Sequence, residues 1–418
     1  MQNKTINVLI ILTILTGLLS CEDTPLPNPN DPPIKQDSIF ELILATEIKP
    51  GDNIISSDFT QQYKDWVFVT GDLHLPPTIY AFNKKTGNKD WEYVHQGAVN
   101  NDIKVSAVYD NIYLALCRHG IVAIDLDKRE SIWELDYYPL DYYRENSNTI
   151  FDGFLYLNIQ IGGAGLEAKS AAVIKVNIKT GEHELIFEVK KKAENLTSIS
   201  PPAFWSDTES NKTLMIFNEY PNAQKAPQDD EQNIVAMDLA TKEIVWRTEK
   251  FTENFYSNRL HPPIIYKDIV ITGGDWSIYA FDVKTGKQLW RYTFDYHTGI
   301  WTKTNHLIYK DKLYVNNSQH DVTCLNPETG ELIWNNPKGG ANCTDNMLYY
   351  EKEDYLVFTS WGYGSVMILD ALTGETIHQE EQYDYSNYNN DVVYDKNLDM
   401  FFTSTYKHAV GFKVHGSK

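Results

Sequence analysis

The chain has 418 residues and a formal net charge of −20 at pH 7, from 57 acidic and 37 basic side chains. A surface of that sign repels nucleic-acid phosphates and anionic lipid head groups, which argues against DNA, RNA or charge-driven membrane binding. Aromatics make up 13% of the sequence, with 27 Tyr and 10 Trp; the apolar segments are short and alternating, so one large β architecture is expected rather than several mixed domains.

Residues 1–20 read as a targeting segment. Lys4 supplies a positive start, and "INVLIILTILTGLLS" is an apolar run too short for a comfortable membrane span. It ends in Leu18-Leu19-Ser20-Cys21, which resembles the lipobox of bacterial lipoproteins and implies that Cys21 is lipidated and becomes the mature N-terminus. Glu22 and Asp23 resemble the residues that follow the Cys in some surface-exposed Bacteroidota lipoproteins. Residues 21–37, rich in Pro and Asn, suit a flexible tether, since such a composition stays extended and cannot pack.

From residue 38 to 418 the sequence repeats. In chain order come "TIYAFNKKTGNKDW" ending at Trp91, "GIVAIDLDKRESIW" at Trp133, "NIVAMDLATKEIVW" at Trp246, "SIYAFDVKTGKQLW" at Trp290 and "DVTCLNPETGELIW" at Trp334. Two further copies keep the frame without the indole, placing Leu185 and His378 there. The residues that close each apolar run (Asn83, Asp125, Asn177, Asp238, Asp282, Asn326, Asp370) lie about 42 to 61 apart, near the span of a four-stranded propeller blade. In each unit a buried strand ends at Asp or Asn, which bonds nearby backbone, and Thr-Gly makes the tight reversal into a strand carrying the Trp. Two more strand candidates precede each hairpin.

Trp91, Trp133, Trp246, Trp290 and Trp334 are read as wedges docking one blade on the next, because a fixed place in a β period favours burial over display. The last unit, "AVGFKV" from Ala409, stops before its turn, while "SIFEL" at residues 38–42 looks like a fourth strand without a third. Pairing the two would close the ring, hide its open edges and put Phe40 in the Trp position. The expectation is an all-β, eight-bladed β-propeller closed by its N- and C-terminal strands, with seven blades if the weakly marked third unit is an insertion.

The pattern A-x-D-x-x-T-G-x-x-x-W, clearest in "YAFDVKTGKQLW" from Tyr279, resembles the pyrroloquinoline-quinone (PQQ)-type propeller repeat. That superfamily holds quinone-dependent dehydrogenases and also non-catalytic lipoproteins of the BamB type. The resemblance implies, for the enzymes, a cofactor beside a vicinal Cys-Cys ring and a carboxylate-held metal. No vicinal Cys occurs here, and Cys117, Cys324 and Cys343 show no CxxC spacing, so zinc and thioredoxin-type chemistry are unsupported as well. A Cys324–Cys343 disulfide and buried free thiols both remain open. Lipobox, tether and length look more like the BamB type: no cofactor, no catalytic residue, no metal, a monomer held to the membrane by its lipid alone.

Binding residues are expected where the blades differ, in the second-to-third loops and the blade-to-blade links. These carry His119, Tyr137, Tyr138, Tyr256, Trp276, Tyr296, Trp301, His320, Trp361, Tyr363, Tyr383 and Tyr385, an aromatic and polar mixture suited to a protein or cell-surface glycan partner. His119 and His320 hold equivalent places, with Trp276 at a third, but no paired-ligand spacing supports a metal. "GAGLEA" from Gly163 matches a phosphate-loop pattern, yet a strand rather than a helix follows it.

Overall fold

The computed structural model describes residues 39–48, 60–71, 78–97, 103–117, 119–137, 140, 142–163, 168–190, 197–221, 232–251, 262–274, 277–295, 306–317, 321–340, 347–360, 363–388 and 390–416. The chain divides into Met1–Asp37 and Ser38–Lys418. Every residue of the first unit, Cys21 included, lies outside the described set.

Eight antiparallel sheets ring an axis, forming an eight-bladed β-propeller among the described residues. Blade 1 comprises Gln61–Tyr63, Trp66–Gly71, Thr78–Asn83 and Lys89–Val94. Blades 2, 3 and 4 begin at Ile103, Tyr142 and Thr197; blades 5, 6 and 7 begin at Ile264, Leu307 and Leu348. In each, four strands (a to d here) follow one another in sheet order. Strand c is buried on both faces, as in Thr78–Asn83, whereas strand d buries its Trp and exposes the residues around it, which marks the outer wall. Blade 4 departs in its first strand, which is split into Thr197–Ile199 and Ala203–Asp207 around Pro201-Pro202, since proline has no N–H for the ladder. Ser200 covers the gap, its hydroxyl accepting the Asn218 N–H at 2.9 Å.

The c–d reversals are built as the spacing predicts. Asp282 Oδ1 accepts the N–H groups of Lys284 and Thr285 at 3.1 and 2.8 Å, and Gly286 N–H returns to the Asp282 carbonyl at 2.8 Å. The same pattern recurs at Asn83, Asn177 and Asp370.

Indoles span the seams. Trp133, Trp246, Trp290 and Trp334 donate their ring N–H to the carbonyls of Ile178, Val283, Pro327 and Ala371 in the following blade, at 2.8 to 3.2 Å. Gly181, Gly286, Gly330 and Gly374 of those blades lie flat on the rings: a Cβ on Gly286, whose φ is +70°, would sit 2.6 Å from Trp246. Trp91 is the exception, because the next turn carries Arg129 (φ 62°) instead of Gly, and its guanidinium carbon stands 5.3 Å from the Trp91 ring.

Chain closure is as expected, with Phe40–Glu47 pairing to His408–Val414 as the fourth strand of blade 8. Its register corrects one expectation. Phe40 faces Val414, while Leu44 faces Gly411, the residue equivalent to Ala280, which faces Trp290 in blade 5. Leu44 therefore holds the Trp position, and Gly87 of blade 1 lies against it, its hypothetical Cβ 3.3 Å from the Leu44 side chain. Phe40 instead stacks on His378 of blade 7 at 5.7 Å and on Phe412 at 4.7 Å. The match of "SIFEL" to "SIWEL" misled because composition does not reveal the shift in pairing between Leu42 and Leu44. In blade 3 likewise, the shift falls between Val173 and Ile174, so Leu185 is exposed at 41% and Ile186 is the residue buried against blade 4.

Candidate functional site

Strand order places the a–b and c–d turns on one side of the disc and the b–c loops and blade-to-blade links on the other. The first side repeats the same turn from blade to blade, so it reads as scaffold. The second differs in every blade and is the candidate binding face.

Its floor is a ring of buried polar side chains at one position of the b strands: Thr70, Asn158, Asn218, Asn316, Thr359 and Ser404. Most reach the next blade or the link that leads to it. Asn158 Nδ2 donates to the Ile199 carbonyl at 2.8 Å, Asn218 Nδ2 to Thr272 Oγ1 at 2.9 Å and Asn316 Nδ2 to the Gly340 carbonyl at 3.0 Å. Thr359 Oγ1 donates to the Asn390 carbonyl at 2.8 Å, and the Asn390 amide in turn bonds Ser404. These bonds satisfy groups that would be expensive to bury alone and hold each link at a set height. The ring was not anticipated, although its signal is present as a polar residue recurring late in apolar strands such as "YVNN" and "VFTS".

Five of the twelve expected face residues fall among the described ones, at 119, 137, 363, 383 and 385; Tyr138, Tyr256, Trp276, Tyr296, Trp301, His320 and Trp361 lie outside them. His119 is half-buried on the b–c loop of blade 2, and its carbonyl accepts the Tyr137 N–H at 2.8 Å. Tyr137 itself corrects an expectation: it is 1% exposed, packed in the apolar core between blades 2 and 3, and offers no surface. The Leu140 N–H returns to the Tyr137 carbonyl at 3.1 Å, and the ring fills the seam.

Tyr383 and Tyr385 lie on the link from blade 7 to blade 8, and Tyr363 on the b–c loop of blade 7. Residues 383–386 form a two-residue hairpin, with Tyr383 N–H to the Ser386 carbonyl at 3.2 Å and the reverse bond at 2.9 Å. Its central residues, Asp384 and Tyr385, have φ of +48° and +54°. Tyr383 is half-buried with its ring edge-on to His408 at 5.1 Å, and burial pushes its hydroxyl above the ordinary tyrosine range. Burial also lowers His408, against the opposing pull of Asp384 and Glu47. Tyr385 stands 95% exposed at the tip. Tyr388 N–H bonds the Gly364 carbonyl at 3.0 Å, which ties the b–c loop carrying Tyr363 to this link.

The quinone site implied by the sequence resemblance does not fit these residues. Cys117 and Cys324 are buried in different blades, burial pushing Cys324 up to about 12, while Cys343 and hence any Cys324–Cys343 bridge lie outside the described residues. No group of three or more His, Cys, Asp or Glu side chains able to hold a metal occurs among the described residues.

A family model described as outer membrane protein assembly factor BamB matches residues 220–406. No curated protein matches the chain in sequence. Among solved structures, the chain is similar to a europium-containing methanol dehydrogenase, with 9% identity over 90% of this chain and 93% of that one and a TM-score of 0.67. It is similar to BamB from Moraxella catarrhalis, with 11% identity, coverage of 91% and 99%, and a TM-score of 0.55. It is also similar to the quinohemoprotein alcohol dehydrogenase from Comamonas testosteroni, with 11% identity, coverage of 91% and 77%, and a TM-score of 0.64. At these identities the likeness is one of fold, shared by enzymes and non-enzymes alike. The chain is thus similar to BamB in sequence over residues 220–406 and shares the propeller fold of all three structures.

Proposed function

We propose that the protein is a lipid-anchored, non-enzymatic scaffold that binds a protein of the bacterial cell envelope through the loop face. The observation that carries this reading is the contrast between the two sides of the disc. One side repeats the same Asp/Asn-anchored reversal, whereas the other has a floor of buried polar side chains and loops whose aromatic and acidic sequences differ from blade to blade. Rigid tyrosines beside polar groups supply contact area at little entropic cost, as recognition surfaces require. The resemblance to BamB supports a protein partner and a place in the envelope; Cys21 and the tether of residues 21–37 supply the attachment, and the propeller works as a monomer.

A quinone-dependent dehydrogenase is the competing reading, raised by the fold shared with the two dehydrogenases. A dye-linked assay with alcohols and sugars, after adding quinone and calcium, separates the two: activity at background is expected, and turnover above it would reverse the assignment. Crosslinking in the native cell from loop-face positions should recover one recurrent envelope protein. Glycan capture instead, measured on polysaccharide arrays and lost in Trp301→Ala, would move the assignment to a carbohydrate. Cys21→Ala should release the protein from the membrane fraction; retention there by a lipid would remove the anchor.

A further inference from the structure

The 383–386 hairpin holds a conformation that its residues resist. A two-residue reversal with positive φ at both central positions favours Asn-Gly, because a Cβ in the left-handed region crowds the backbone. Here those positions are Asp384 and Tyr385, at +48° and +54°. The surroundings keep them there: the paired Tyr383–Ser386 bonds close the hairpin, Tyr383 packs its ring against His408, and Tyr388 bridges to Thr405 of blade 8. The turn delivers a phenol ring at 95% exposure.

The segment that carries that ring is acidic on balance. Glu380, which contacts His378 at 3.0 Å, Glu381 and Asp384 lie on the same segment, and Glu47 of the N-terminal strand stands opposite His408 within blade 8. Lys407 is the basic residue on the adjoining loop. The Asp384 carboxylate lies 3.8 Å from His408 and is half exposed, and burial of the imidazole lowers its pKa against the pull of that carboxylate. An exposed phenol face flanked by carboxylates is complementary to a guanidinium or ammonium group, which gains a ring contact and ion pairing together.

We infer that the blade 7–8 hairpin is an anchor for a basic segment of the partner protein, with Tyr385 stacking on an Arg or Lys side chain and Asp384 pairing with it. This rests on the reading of the loop face as a partner-binding surface and specifies where, and for what chemistry, that surface acts.

The test uses the full chain in detergent and a fluorescent hexa-arginine peptide, with affinity read by anisotropy. Tyr385→Gly should weaken binding about fivefold, the size of an exposed cation–π contact. The same variant should melt at the same temperature or about 1–3 °C higher, because glycine suits the turn. Asp384→Asn should weaken binding and flatten its salt dependence, while Glu331→Gln on the opposite side of the disc should change neither. Unchanged affinity in both hairpin variants overturns the inference, as does a loss of affinity accompanied by a fall in melting temperature, which would assign Tyr385 to folding. Tyr385-dependent binding of a neutral polysaccharide without binding of the peptide also overturns it. Native-cell photocrosslinks from position His119 but not from Tyr385 would discard the hairpin and keep the face; crosslinks from neither would discard both.

Discussion

Gly286 and Trp246 share one space between two blades. The indole fills it, the glycine yields it, and the ring N–H finds the Val283 carbonyl at 2.9 Å. Gly286→Ala combines a forbidden contact with a strained φ, so it should lower stability by roughly 1–3 kcal/mol, whereas Trp246→Ala should cost about 3–5 kcal/mol; urea titrations of both would show this, with the double variant less than additive. His306 behaves differently. It is buried, neither ring nitrogen has a hydrogen-bond partner among the described residues, and burial holds it down to about 4. The unfolded chain binds a proton near the ordinary value and the folded chain does not, so stability should fall between about pH 6.5 and about 4 as the pH drops, by on the order of 3 kcal/mol. His306→Leu should remove that component from the pH dependence of the denaturation midpoint; an unaltered slope would show that the imidazole titrates freely.

At the scale of the element, blade seams obey a rule of complementary size. Four seams pair Trp with Gly; the seam after Trp91 pairs it with Arg129, and the seam of blades 7 and 8 pairs a smaller His378 with a larger Phe40 at the turn-glycine place. His378→Trp alone should destabilise by overfilling, Phe40→Gly alone by leaving a cavity, and the pair should recover much of the loss, a coupling that a double-mutant cycle would reveal. The a–b turns form a second set of seam contacts. Asp399 of blade 8 takes Lys352 at 2.7 Å and the hydroxyls of Tyr394 and Tyr350 at 2.7 and 2.9 Å. Burial alone would raise its carboxyl, but these donors outweigh it and hold Asp399 at about 2. Its stabilisation is therefore complete above the ordinary carboxylate range and disappears as the pH falls towards 2. In Asp399→Asn the midpoint should lose that dependence between about pH 4 and 2.

For the whole molecule, stability depends on joining residues some 370 positions apart, since Phe40–Glu47 completes the sheet of His408–Val414. Lys84 and Asp395 meet at 2.8 Å across the next seam with side chains only 5% and 12% exposed, so the closing junction is both apolar and ion-paired. Removing residues 1–37 should leave the melting temperature unchanged, while removing 1–47 should lower it sharply and expose the His408–Val414 edge to aggregation, visible as a concentration-dependent rise in light scattering. The blade unit, closure and the reversals were legible because each is a local pattern repeated many times. Tyr137 and Phe40 were misplaced because burial and register depend on what lies opposite, which no single repeat contains. Nor could one strand reveal the Asn158, Asn218 and Asn316 ring, whose meaning comes from bonds to the neighbouring blade.

By itself the amino-acid order determined a closed ring of four-stranded units, since alternation, Asp/Asn stops and Thr-Gly reversals act within a few residues of one another, and the structure decided eight over seven. Only the tertiary structure decided that Leu44 takes the indole's place, that Phe40 answers His378, and that Asp384 and Tyr385 project from a left-handed turn. Those outcomes are set by packing across seams between distant segments, where the shape of one blade selects the side chain and backbone of the next.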